Sequence, residues 1–264
     1  MTHFADRLAA AVERKHSQLV VGLDPFPDRV PDPLAFCRQI VDAVADHAVA
    51  VKLQSAFFEV RGADGVRAFE EVCAYAREAG LLVIGDVKRG DIPTTADAYA
   101  RAFIPLADAV TVNPYMGGDS VEPFVDACRR EGAGIFCLVK TSNRGSADVQ
   151  DLELADGRPL WHRVAELVDD WGSDVIGVNG LSAVGAVVGA TYPNEVVAIR
   201  RLLPRSVLLL LGIGAQGAKP ADVAAAFGAG PASALVSASR SIIFADSPAH
   251  EAQRLTAEVW DLSQ

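Results

Sequence analysis

The sequence predicts an α/β chain folded as a single (β/α)8 TIM barrel. Two observations carry that expectation. Short apolar runs alternate with amphipathic helical stretches along nearly the whole chain, and eight such pairs occur in series. Most of the apolar runs also end in a polar residue. The runs fall at 19–23, 48–53, 81–87, 109–112, 134–139, 185–189, 207–211 and 234–237. They read as strands buried on both faces, because they are near-continuously apolar rather than alternating. Between them lie helical patterns at 34–47, 65–79, 94–104, 120–130, 159–171, 194–203 and 220–227, with a last helix at 250–262. Parallel strands need a crossover, and each spacing leaves room for one. The apolar segment 174–181 is read as a helix end and loop, not a ninth strand. The polar stretch 145–157, after the fifth strand, is the longest loop.

The length of 264 residues suits one closed barrel of ~250 residues, so residues 1–264 are expected to form one catalytic domain. Half of the residues are apolar and 22% are charged, which excludes collagen-like, disordered and disulfide-scaffold classes. No apolar run approaches the ~18 residues of a membrane-spanning helix. The first fifteen residues lack the apolar stretch of a signal peptide, so a cytoplasmic protein is expected. The net charge of −10 argues against general nucleic-acid or membrane binding. An anion site would have to be built locally from a few Lys, Arg and backbone N–H groups. Cys37, Cys73, Cys128 and Cys137 form no C-x-x-C pair and suit no zinc site; they read as reduced, buried thiols.

In a barrel the strand ends converge on one face, where loops build active sites. Asp24 follows the first run, Lys52 and Gln54 lie in the second, and Asp86 and Lys88 end the third. Asn113 ends the fourth run, Lys140-Thr141-Ser142 the fifth, and Gln216 and Arg240 follow the seventh and eighth. Any one of these alone reads equally as a snorkelling lysine or a helix cap. The densest group is Asp86-Val87-Lys88-Arg89-Gly90-Asp91. Strand alternation places Asp86 and Lys88 on one face. Asp91 follows just past the strand end, and Lys52 is within reach on the neighbouring strand. The expected result is an alternating row of ammonium and carboxylate groups. Flanking carboxylates would keep Lys88 an ammonium, hence a proton donor rather than an amine nucleophile. The bland alternative is a buried ion-pair network that only fixes strand register. Arg89-Gly90-Asp91 also spells a cell-adhesion motif, but it sits inside a strand-to-helix turn.

A second group is Leu211-Gly212-Ile213-Gly214-Ala215-Gln216-Gly217-Ala218, followed by Ser239-Arg240-Ser241. Glycines let backbone N–H groups approach a ligand, and the loops after strands seven and eight often bind phosphate in barrels. Arg240 would add a bidentate charge-assisted contact and Gln216 a neutral donor. The stretch fits G-x-G-x-x-G, but only one strand candidate follows it, whereas a dinucleotide fold needs several. A phosphate-loop reading fails because Ala218 stands where its lysine should be. The five histidines sit outside the strand ends, and no Ser-His-Asp triad or H-E-x-x-H motif is present.

At these residues the chain resembles orotidine 5′-phosphate decarboxylases of the longer bacterial subgroup, type 2. The resemblance runs from Val21-Gly22-Leu23-Asp24-Pro25 to Ser239-Arg240-Ser241-Ile242. It is carried by the segment from Lys52 to Glu59, by D-x-K-R-x-D at 86–91, by Asn113-Pro114-Tyr115-Met116-Gly117 and by Lys140-Thr141-Ser142-Asn143. Val187-Val188-Gly189-Ala190-Thr191 and Gly212-Ile213-Gly214-Ala215-Gln216-Gly217 complete it. The resemblance implies decarboxylation of orotidine 5′-monophosphate to UMP in pyrimidine synthesis, without a cofactor. It implies that Lys52, Asp86, Lys88 and Asp91 form a charged tetrad, with Asp91 and Thr95 reaching into the other subunit's site of a homodimer. It further implies ribose contacts by Asp24 and Lys52, a pyrimidine contact by Ser142, and a phosphate grip by Gln216 and Arg240. Three residues depart from the pattern: Leu211, Ala218 and Ser239. Two further readings are a metal-assisted sugar-phosphate decarboxylase or aldolase, and a non-catalytic phosphate-binding barrel.

Overall fold

The structure, a computed structural model, describes residues 2–213 and 219–264. Eight parallel strands close on themselves in chain order: β1 Leu19–Leu23, β2 Ala50–Gln54, β3 Leu82–Arg89, β4 Ala109–Val112, β5 Gly134–Lys140, β6 Ser182–Gly189, β7 Ser206–Leu211 and β8 Ala234–Ala238. Around them run α1 Phe4–Lys15, α2 Pro33–Val44, α3 Ala56–Glu59, α4 Gly62–Glu78, α5 Pro93–Phe103 and α6 Gly118–Glu131. They continue with α7 Ala147–Gln150, α8 Leu160–Trp171, α9 Pro193–Leu202, α10 Arg240–Ile243 and α11 Pro248–Leu262. The expected (β/α)8 barrel is therefore the fold observed.

Strand alternation sorts the core into two compartments. Val21, Val51, Val83, Val110, Ile135, Leu208 and Val236 point outward against the helices. Val20, Ala50, Ile84, Ala109, Phe136, Leu209 and Leu235 point inward and fill the barrel. The inner compartment is completed by α1, whose Phe4, Leu8 and Val12 pack into it from the end where the strands begin. Phe4 meets Phe136 edge to face at 5.9 Å between centroids. Arg7 holds α1 in place, donating to Asp108 at 2.8 Å and to the Gly132 carbonyl at 2.9 Å.

Segment 174–181 forms no strand. It contributes one isolated bridge, Ile176 to Ser182, and turns at Gly180, whose φ is +83°. The expected helix at 220–227 forms as a 3-10 helix, Pro220–Phe227. There the Ala226 carbonyl accepts from Arg200 Nη1 and Ser233 Oγ, both at 3.2 Å, contacts the local sequence does not reveal. All four cysteines are free and buried, and burial pushes the Cys37 thiol up to about 12. Among the described residues no helix is long and apolar enough to cross a membrane.

Gly134 is the contact that lets Phe4 seat itself. A Cβ there would lie 2.3 Å from Phe4 Cδ1. Gly134→Ala should therefore cost about 1–3 kcal/mol by overpacking. Urea unfolding checks this; an unchanged midpoint would mean that the Phe4 ring is not seated against β5.

Candidate functional site

One step beyond the apolar inner layer, the inward positions become polar. Ala50 is followed by Lys52, Ile84 by Asp86 and Lys88, and Ala109 by Thr111. The parallel register sets Lys52 beside Ile84 and Gln54 beside Asp86, so side chains of neighbouring strands meet at one level. Asp86 is the centre of the group. Its Oδ2 accepts from Lys52 Nζ at 2.7 Å and from Gln54 Nε2 at 3.2 Å. Its Oδ1 accepts from Lys88 Nζ and, at 2.9 Å, from Thr111 Oγ1. The carboxylate is sealed, with the Asp86 side chain 3% exposed, whereas that of Lys88 is 36% exposed. Lys88 is thus the cation of this row that faces the open mouth.

The β3–β4 register shifts between Gly85 and Arg89, and Lys88 adopts a left-handed φ of +46°. The shifted Lys88 N–H donates to Thr111 Oγ1 at 2.9 Å. Burial alone would raise the Asp86 pKa. The charges of Lys52 and Lys88, and the hydrogen bonds they donate, outweigh burial and hold it well below the usual carboxylate range. Burial likewise works to lower the Lys52 ammonium, but Asp86 and then Asp24 carry it upward. Asp24 follows β1, and its Oδ2 accepts from Ser239 Oγ at 2.6 Å. Gly22 permits that approach, since a Cβ there would lie 2.8 Å from the Ser239 Cβ. Ser239, a departure from the family pattern, therefore braces Asp24.

Beside Lys88 opens a cleft floored by Leu138, Val187 and Leu211 and walled by Ser142, Asn143 and Val149. The stretch 145–157, expected as a plain loop, contains the short helix α7 and is stitched back to β5. Lys140 Nζ donates to Asp151 Oδ1 at 2.6 Å and lies 4.8 Å from the Tyr192 ring centroid. Gln150 Oε1 accepts from Thr141 N and its Nε2 donates to Thr141 Oγ1, both at 2.9 Å.

Of the expected site residues, Lys52, Asp86 and Lys88 meet directly, Asp24 lies close enough for its charge to act on Lys52, and Ser142 lines the cleft. The fourth member of the row does not join it within one chain. Asp91 Oδ1 instead accepts from Ile92 N at 2.8 Å, because the chain turns into α5 immediately after it. Thr95 lies half-buried in the first turns of that helix. Arg240 opens α10 exposed, with no side-chain partner among the described residues. Gln216 lies outside the described residues. The residue that sequence reasoning passed over is Thr111; its only signal is a hydroxyl inside the apolar run Ala109-Val110-Thr111-Val112.

Comparisons with known proteins agree on one family. The sequence profile of the "Orotidine 5'-phosphate decarboxylase / HUMPS family" matches residues 17–255. The chain is 45% identical to an orotidine 5′-phosphate decarboxylase of Rhodopirellula baltica, covering 93% of this chain and 89% of that protein. It is 46% identical to one of Halorubrum lacusprofundi, covering 92% and 88% respectively. The solved structure of Leishmania donovani OMP decarboxylase superposes with a TM-score of 0.85 at 37% identity, over 99% of both chains.

The depressed Asp86 pKa links stability to pH. Its contribution is complete above the unfolded carboxylate value near 4 and is lost as pH falls through the lower folded value. Asp86→Asn leaves the buried Lys52 unpaired and should cost about 3–5 kcal/mol at pH 7. That gap should narrow steadily below about pH 4. Urea unfolding of both proteins at pH 7 and pH 3 measures it; an equal gap at the two values would contradict the assignment.

Proposed function

The chain belongs to the orotidine 5′-phosphate decarboxylase / HUMPS family, and on that premise we propose that it decarboxylates orotidine 5′-monophosphate to UMP and CO2 without a cofactor. The observation that carries the reading is the Lys52–Asp86–Lys88 row, with Lys88 the ammonium turned toward the cleft. When the C6–carboxylate bond breaks, its electron pair stays on C6 in an sp2 orbital and CO2 departs. No ring carbonyl is aligned to accept that pair. Accelerations by enzymes reach about 10^17-fold, or roughly 23 kcal/mol, so no single contact supplies the whole. Lys88 provides a preorganised positive charge beside C6 and then the proton that completes UMP. Its neutral amine regains a proton from water. Asp86 stands beside the departing carboxylate and fixes Lys88.

The remaining expected residues take consistent places in this reading. Asp24 Oδ1 is buried and has no partner among the described residues, so it is available to accept from a ribose hydroxyl. Lys52 donates to the same sugar. Ser142, on the cleft wall, meets the pyrimidine. Arg240 and Gln216 grip the phosphate. Far from C6, that grip raises the rate only through interactions realised in the transition state.

We also assign a homodimer with shared sites, in which Asp91 and Thr95 serve the other subunit. The turns after β3 and β4 touch, with Asn113 N donating to the Arg89 carbonyl at 2.8 Å. Together they expose Ile92, Tyr115 and Met116, an apolar group beside Asp91 that suits a second copy. The reading places the enzyme, residues 1–264 acting as one catalytic domain, in the cytoplasm.

The direct test follows the absorbance of orotidine 5′-monophosphate with the purified protein, with and without chelator. Turnover indifferent to chelator is expected. Loss of turnover on chelation would favour a metal-assisted relative, and binding without turnover a silent barrel. Lys88→Ala should lower kcat by about four to seven orders of magnitude while the circular dichroism spectrum is retained. Mixing inactive Lys88→Ala and Asp91→Ala chains should restore partial activity, because a mixed dimer holds one complete site. No recovery despite demonstrated subunit exchange would remove Asp91 from the shared site.

A further inference from the structure

We propose that Thr111 is a positioning residue that fixes both ends of Lys88 through one hydroxyl. Its Oγ1 accepts the Lys88 backbone N–H at 2.9 Å and donates to Asp86 Oδ1 at 2.9 Å. The direction of each bond is forced. The amide has only a hydrogen to give, and the ionised carboxylate only lone pairs. The single hydroxyl proton therefore goes to Asp86. Asp86 Oδ1 in turn accepts from Lys88 Nζ. The result is a closed circuit: from the Lys88 amide to the Thr111 hydroxyl, to the Asp86 carboxylate, and back to Lys88 along its own side chain.

Two features show that this circuit does more than fill space. Lys88 is one of two residues other than glycine with positive φ among the described residues, and it lies where the β3–β4 ladder shifts register. An L-residue holds that conformation only when surrounding bonds fix it. The shifted backbone brings the Lys88 N–H to the Thr111 side chain. Thr111 itself is 1% exposed, and β4 carries it on the inward face one step above Ala109. Valine has nearly the same shape and suits a strand, so removing the hydroxyl removes the circuit without opening a cavity.

The inference rests on the proposed decarboxylation only for its kinetic readout. Thr111→Val should lower kcat for orotidine 5′-monophosphate about 10- to 100-fold, as expected for a small misplacement of a catalytic group, with KM changed less than about threefold. Thr111→Ser keeps the hydroxyl and should return kcat to within about threefold of wild type. Independently of turnover, hydrogen exchange of the Lys88 amide should speed up at least about tenfold in Thr111→Val and not in Thr111→Ser. If the Val protein is not recovered folded, Thr111→Cys provides the same comparison with a weak donor. Wild-type turnover with an equally active Thr111→Val would overturn the positioning role and leave the decarboxylase reading intact. No turnover by wild type would overturn that reading, and the amide exchange would then decide the role of Thr111 alone. Unchanged exchange in Thr111→Val would overturn it whatever the kinetics.

Discussion

A carboxylate taken out of water loses several kcal/mol of hydration, and the interior must return it through cations and hydrogen-bond donors. Asp86 is in that position, sealed at the level where the barrel's apolar filling ends. Its two oxygens receive four donors: two ammonium groups, one amide and one hydroxyl. The neighbouring strands must therefore present Lys52 and Gln54 from β2 and Thr111 from β4 at one height. The parallel register sets Gln54 beside Asp86 and pairs Gly85 with Val110, one residue before Asp86 and Thr111. The same demand draws Lys88 back over Asp86, with a backbone conformation that costs an L-residue roughly 1–2 kcal/mol. Strain at that one residue is tolerated because the charge it neutralises would cost more unpaired.

The barrel was legible because its strands are buried on both faces. Runs such as Val207-Leu208-Leu209-Leu210-Leu211 have no amphipathic alternation, and a charged residue within a run such as Ala48–Leu53 is conspicuous. Lys52, Asp86 and Lys88 were visible for that reason. Thr111 was not, since threonine is an ordinary strand residue and its neighbours make its hydroxyl matter. Ser239 looked like a mismatch until β1 and β8 stood side by side, bringing it to Asp24. Within the 3-10 helix Pro220–Phe227 the Ala226 carbonyl is held by Arg200, 26 positions away in the chain, a contact no local periodicity could report. Asp91 was expected in the row from its spacing alone, but the turn into α5 directs its carboxylate to the Ile92 N–H instead.

The segment after β5 illustrates a different lesson. Its polar composition suggests a freely moving flap. Yet Lys140 and Gln150 tie it at two points, one an ion pair whose lysine is fully buried and the other a pair of amide hydrogen bonds. Ser142 directly follows Thr141, inside the loop that those ties close. Its position on the cleft wall is thus fixed by the chain's own bonds, and a group held in this way has less ordering entropy to lose in any contact it makes.

The seating of α1 has a consequence for traffic. With Phe4, Leu8 and Val12 plugging the end where the strands begin, the barrel is a blind well. Whatever reaches the ammonium row must enter, and whatever leaves must exit, by the same rim. A nucleotide filling that rim would stand between the amine and bulk water. If Lys88 gives its proton to the product, as proposed above, its reloading would wait for the product to depart, and the cycle would be reset by emptying the well.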